Sequence, residues 1–381
     1  MKRREIVVDL VKAAFIVLIV KVMASSSRVI PWNSFLDNVC IVFAVGVMFV
    51  KICRLTAEFK KIIMLAVAAL LTLYTCVAIK QYDIFITVIA ICLVMNEDLD
   101  EYITRMLKTQ AIVIIVHIVV SGFRSLTGVA QYFWRMTDSR LRFNGGFSHP
   151  NVLSCYILSC TMMFAWTRFR RLTSGEFGWM VCITIASFLM SRSRTGLLLN
   201  LFLLLIIFLT QKSHHRLEKA ISAVLPLLFP VCATVIFLAQ KRFVSGSSAA
   251  KFLNELLNSR IKLAAYAYHR SGVSWLPRYL DYAQSGRVSW TPEWNLNTFT
   301  FDCLYSFLFV QMGMIWIGII TVLIFVACRR FDFRNKVFLL FWVLFGIVEV
   351  HGLNCFMFFP LLLLSMLLSK KGDEHHPSRH D

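Results

Sequence analysis

The chain has 381 residues, of which 58% are hydrophobic and 16% charged, with a mean hydropathy of +0.69. Against about 45–50% apolar and about 25% charged residues in an ordinary globular domain, that balance excludes a water-soluble enzyme, a disordered chain and a disulfide scaffold. Lys and Arg number 40 against 21 Asp and Glu, a net charge of +19; such an excess suits an anionic partner, and lipid-facing helices exclude nucleic acid.

A helix crosses the hydrocarbon layer with about 20 mostly apolar residues. Apolar stretches fall at 5–23, 35–52, 62–79, 82–95, 108–123, 151–167, 177–191, 196–210, 220–240, 304–327, 337–350 and 355–369. They predict an all-α polytopic integral membrane protein, a single domain over 1–381 with about 12 transmembrane helices. Asp9 and Lys12 interrupt the first stretch, so it reads as an uncleaved signal-anchor rather than a secretory signal. With the N-terminus inside, inner segments carry 22 Lys and Arg, and the short outer loops carry only Arg28, Lys80, Arg192 and Arg194. The positive-inside rule therefore gives N-in/C-in. Two longer segments face outside: Arg124–Ser148, and a large extracytoplasmic loop, 241–303, between the ninth and tenth helices.

The outer basic residues number 16, of which 12 are Arg. Arg offers a planar fork that grips phosphate or carboxylate bidentately. Four outer segments concentrate chemistry. In RLRFNGGFSHPNVL, Gly145 and Gly146 permit a tight turn, Pro150 suits a first helical turn, and Arg142 and His149 stand beside a helix N-terminus, where free amides favour anions. In SRSRTG, Arg192 and Arg194 share a very short turn between apolar flanks, where an Arg needs a partner or a substrate. In the large loop, residues 249–270 lack Gly and Pro and read as one amphipathic helix carrying Arg260. The rest of the loop is rich in aromatics, including Trp290 and Trp294, which suit sugar faces and a membrane interface equally. In FDCLYSFLFVQMG, Asp302 lies at the outer mouth of a long apolar span with Tyr305 one turn deeper, placed as a general base. Glu349, at the outer end of the eleventh span, needs a partner, and an Arg is the natural one.

Together these segments resemble the O-antigen ligase and polymerase superfamily, specifically Wzy-like capsular or exopolysaccharide polymerases of bacteria. The resemblance rests on RFNGGFSHPN before a span, SRSRTG between two spans, LNSRIKLAAYAYH in the large loop and FDCLYSFLFVQMG opening the next span, all in order on one membrane face. It implies a multi-pass enzyme of the bacterial cytoplasmic membrane whose site faces outward. The enzyme would transfer a growing glycan from polyprenyl diphosphate to the next lipid-linked repeat unit, with neither metal nor other cofactor. A flippase and a chain-length regulator are the companion proteins implied. The ligase branch has a His where Asp302 stands, which favours the polymerase; a ligase delivering glycan to a terminal acceptor is the alternative, and a lipid-linked oligosaccharide flippase is the rival of another class.

The roles follow from the reaction. Arg142, Arg192, Arg194 and Arg260 would hold the diphosphate, since fixed guanidinium groups stabilise a leaving anion without metal. Asp302 or His149 would assist the acceptor hydroxyl. Tyr305, Glu349, Trp290 and Trp294 would bind or support the substrate. An Asp-x-Asp pair in NEDLDEY, Asn96–Tyr102, matches nucleotide-sugar enzymes, but in an inner amphipathic linker such acids simply face water.

Overall fold

The computed structural model describes residues 2–54, 59–128, 134–137, 140–212, 214–280 and 301–369. Among them the chain is helical almost throughout. The first helices are α1 (Lys2–Ser25), α2 (Ser34–Arg54), α3 (Phe59–Ile79), α4 (Asp83–Val94) and α5 (Leu99–Leu126). A hairpin of β1 (Trp134–Thr137) and β2 (Arg140–Phe143) pairs Arg135 with Arg142. Then come α6 (Pro150–Thr167), α7 (Ser174–Ser191), α8 (Arg194–Lys212), α9 (His214–Phe243), α10 (Ser248–Leu256) and α11 (Arg260–Ser271). After the large loop stand α12 (Leu304–Phe307), a π-helical turn (Leu308–Met312), α13 (Met314–Arg330) and α14 (Phe333–Val348).

The local sequence explains the helix starts. Asp98 caps α5 by accepting from Asp100 N, and Asp332 caps α14 by accepting from Asn335 N. Thr173 and Glu176 form a reciprocal capping box at α7. Among the described residues five helices are long and apolar enough to cross a membrane: α2, α5, α7, α8 and α9. Their outward faces carry large apolar side chains in the open, among them Val42, Phe49, Ile112, Phe123, Leu198 and Leu227. Apolar surface of that extent needs lipid as its solvent.

The chain forms two compact units. The first comprises Met1–Ala69, Ile86–Lys212 and Asn354–Asp381. Its core packs Phe15 of α1 edge-on to Tyr102 of α5 at 5.0 Å and to Phe356 at 5.2 Å. The loop before α6 wedges into this unit: Gly146, at φ 86°, accepts from Arg28 N, and Phe147 stacks flat on His117 at 4.4 Å. The second unit comprises Leu70–Phe85 and Ser213–Leu353, with Phe229 of α9 packed between Tyr305 and Trp342.

Three expected elements come out differently. The stretch 304–327 is not one helix; it breaks at Gly313, φ 92°. The break is stitched by the large loop: Ser274 N donates to Phe309 O, Met314 N to Ser274 O, and Arg278 N to Gln311 O. The stretch 355–369 is a 3-10 run, Phe359–Leu364, and one helical turn, Ser365–Leu368, because Asn354 turns the backbone, receiving Met357 N and Phe358 N on its carbonyl. Residues 355–363 are buried in protein, with Gln110 Nε2 donating to Phe356 O and Cys355 N donating to Thr87 Oγ1, whereas Met366 is exposed. The amphipathic stretch 249–270 is two helices, parted where Asn258 and Ser259 take left-handed φ of 53° and 67°.

Gly313 has a second constraint besides its φ: a Cβ there would sit 2.6 Å from Trp275 O and 2.8 Å from Leu276 C, both backbone atoms. Gly313→Ala is expected to cost at least about 2 kcal/mol, read as a clear fall in the thermal unfolding midpoint of the purified protein in detergent; Gly318→Ala, with open space around its Cβ position, is the control.

Candidate functional site

In the first unit the sequence-predicted residues gather where α6, α7 and α8 meet β2. Pro150 opens α6, and His149 is its N-cap: the imidazole Nδ1 accepts from Asn151 N at 3.1 Å. That contact fixes His149 as a capping acceptor. Arg142 is buried, and its fork is committed: Nε donates to Ser191 O at 2.7 Å, and Nη2 donates to Asn151 Oδ1 at 2.8 Å. The Ser191 carbonyl belongs to the last turn of α7, where intrahelical donors run out. Arg142 therefore locks the hairpin to the end of one helix and the start of another. The chain turns out of α7 through Arg192, whose left-handed φ of 53° lets its N–H cap Phe188 O at 2.8 Å. Ser191 and Ser193 point inward and are buried, and Arg192 and Arg194 present their side chains outward. At Gly196 a Cβ would overlap Ser154 Oγ of α6, so α8 begins in close backbone contact. The two outward Arg of this turn remain able to meet an anion, whereas Arg142 holds the turn in shape.

In the second unit Arg260 opens α11 beside the end of α14. Its Nε donates to Val348 O at 2.7 Å, and its Nη2 lies 3.4 Å from Glu349 Oε1. Both side chains of the pair are nearly buried. Arg260 also borders a crevice too narrow to admit a water molecule, lined further by Asp302, Cys303 and Ser306, with Leu263, Ala264 and Phe301 as its apolar wall. Ser306 Oγ is buried there and has no hydrogen-bond partner. His351, half-buried just past Glu349, has its imidazole pushed below the ordinary value by burial, against the pull of Asp83 and Asp302. The crevice thus places a cation, a carboxylate and an unsatisfied hydroxyl within one small space. Those are the groups that stabilise a leaving anion and accept a proton from an entering hydroxyl.

Tyr305 points away from such work. It is fully buried, and its hydroxyl donates to Val343 O at 2.8 Å, so it pins α12 to α14. Trp290 and Trp294 lie outside the described residues. Ser306 was not legible in the sequence: Asp302 precedes α12, so the fold and not a shared helix face brings the hydroxyl to the same crevice. The Asp-x-Asp segment is occupied structurally. Glu97 pairs with buried Lys51 at 2.8 Å, Glu101 with Lys12 at 2.8 Å and Arg105 at 2.6 Å, and Asp98 is the α5 cap. Among the described residues no three His, Cys, Asp or Glu side chains gather as metal ligands.

The described residues are thus overwhelmingly helical, and among them five helices are long and apolar enough to cross a membrane. No family model, curated protein or solved structure matches it.

The two kinds of Arg separate experimentally. Arg142→Ala removes two charge-assisted bonds and is expected to cost about 3 kcal/mol, seen as a lowered unfolding midpoint. Arg192→Ala and Arg194→Ala, outward-facing, are expected to stay within about 0.5 kcal/mol of wild type in the same measurement. A stable Arg142→Ala protein would contradict the clamp.

Proposed function

We propose that the chain is a multi-pass polysaccharide polymerase of the Wzy-like class in the bacterial cytoplasmic membrane, with the site facing outward. The observation that carries this reading is the crevice where Arg260, Asp302 and Ser306 converge beside buried Glu349, at the large loop where the family resemblance places the chemistry. A lipid diphosphate is the anion that suits guanidinium groups at a membrane face, and the apolar outer faces of the helices put the chain in the same bilayer as its lipid tail.

The reaction follows from the groups present. Asp302 takes the proton from the acceptor sugar hydroxyl of the incoming lipid-linked repeat unit. The freed oxygen attacks the anomeric carbon of the growing chain, the bond from that carbon to the diphosphate oxygen breaks, and polyprenyl diphosphate leaves. Arg260 meets the charge developing on the diphosphate. Ser306 donates to a sugar oxygen. The crevice is closed to a sugar ring as it stands, so binding parts its walls. A flippase delivering repeat units and a chain-length regulator are the partners this reaction needs.

Purified protein incubated with lipid-linked repeat units is expected to give a ladder of chain lengths. A single transfer to a different acceptor would assign a ligase, and no covalent change would assign transport. Arg260→Lys keeps the charge and loses the fork; it is expected to lower the polymerisation rate by about 100-fold while the protein stays in the membrane. A normal ladder from Arg260→Lys would overturn the diphosphate role.

A further inference from the structure

We propose that α10 is an interfacial anchor: it lies in the phospholipid leaflet at the C-terminal end of α9, with Phe252 and Leu256 among the acyl chains.

The helix has three sectors. Ala250 is buried, with Leu253, Asn254 and Leu257 half-buried beside it, so this sector packs on the protein. Phe252 and Leu256, one turn apart on another flank, are 68% and 69% exposed. Lys251 and Glu255, also exposed, make the third. A polar-flanked helix that leaves a Phe and a Leu on one flank uncovered has the layout of one lying in an interface.

The occupant follows from where the helix is tethered. α9 is long and apolar enough to cross the membrane and ends at Phe243. Only residues 244–247 separate it from Ser248, and an extended chain covers at most about 3.6 Å per residue, so α10 starts within about 18 Å of the end of α9. That end carries exposed Lys241 and Arg242, and Lys251 adds a third cation nearby in the chain. Three cations against Glu255 complement the headgroup phosphates of a bilayer.

The anchor is coupled rigidly to the crevice. Asn254 Oδ1 of α10 accepts from Lys262 N in the first turn of α11 at 2.7 Å, and Asn254 O accepts from Ser259 N at 2.8 Å. Arg260 stands between those two residues. Fixing α10 in the leaflet therefore fixes the depth of the Arg260 guanidinium at the headgroup plane. The inference holds whatever reaction the crevice performs.

The test is photocrosslinking of the full-length protein in vesicles of phosphatidylethanolamine and phosphatidylglycerol, with a benzophenone amino acid placed in turn at positions 252, 256 and 251. Mass spectrometry is expected to find phospholipid adducts from positions 252 and 256, and at least tenfold fewer from position 251. Equal lipid labelling from all three positions, adducts joining two copies of the chain, or no lipid adduct from either apolar position would overturn it.

Discussion

Helix ends inside a membrane protein leave carbonyl groups that water cannot reach, and in this chain arginine satisfies them. Arg142 donates to Ser191 O at the end of α7, Arg260 to Val348 O at the end of α14, and Arg278 to Val310 O in the π-helical turn as well as to Ser271 O and Gly272 O. An unpaired buried carbonyl costs about 1–3 kcal/mol, and a guanidinium adds favourable charge at the negative end of a helix. The fork also ties one element to another, because its several donors reach different chains of backbone at once. The break at Gly313, the turn through Arg192 and the start of α11 all depend on such clamps.

This changes the meaning of the outer arginines. From composition, an excess of Arg over Lys outside the membrane points to a phosphate ligand as a group. The structure divides the group by task. Arg142 and Arg278 are committed to backbone, and Arg192 and Arg194 face outward. Arg260 does both kinds of work: it caps Val348 O and pairs with Glu349, and it borders the crevice with Asp302. A side chain held by a carbonyl on one edge and a carboxylate on another is preorganised, and its charge is available without reorganisation when an anion forms beside it.

Helix positions were legible because apolar runs of sufficient length have few other folds open to them, and α1 to α9 lie where those runs are. The breaks were not. Residues 304–327 are apolar on all faces, so no periodicity marks Gly313, and the partners that stabilise the break are supplied by residues 274–278, distant in sequence. Asn258 and Ser259 part α10 from α11 without the Gly or Pro that would announce a break. Within the site, the need of Glu349 for an Arg was legible from the cost of a buried acid, and the structure pairs it with Arg260. The capping role of His149 was half legible: Pro150 marks a helix start, but only the geometry commits the imidazole to Asn151 N. That Arg142 is a clamp was invisible, since Ser191 is 49 residues away in sequence.

The proposed diphosphate role sets that anion against Arg260, in the crevice shared with Asp302. Its most direct measurement is the thermal shift of purified protein with added polyprenyl diphosphate, set against the monophosphate of the same lipid, in wild type and in Arg260→Gln. A larger stabilisation by the diphosphate is expected in wild type, with the difference abolished in Arg260→Gln. Equal shifts from the two lipids in wild type, or an undiminished preference for the diphosphate in Arg260→Gln, would contradict it.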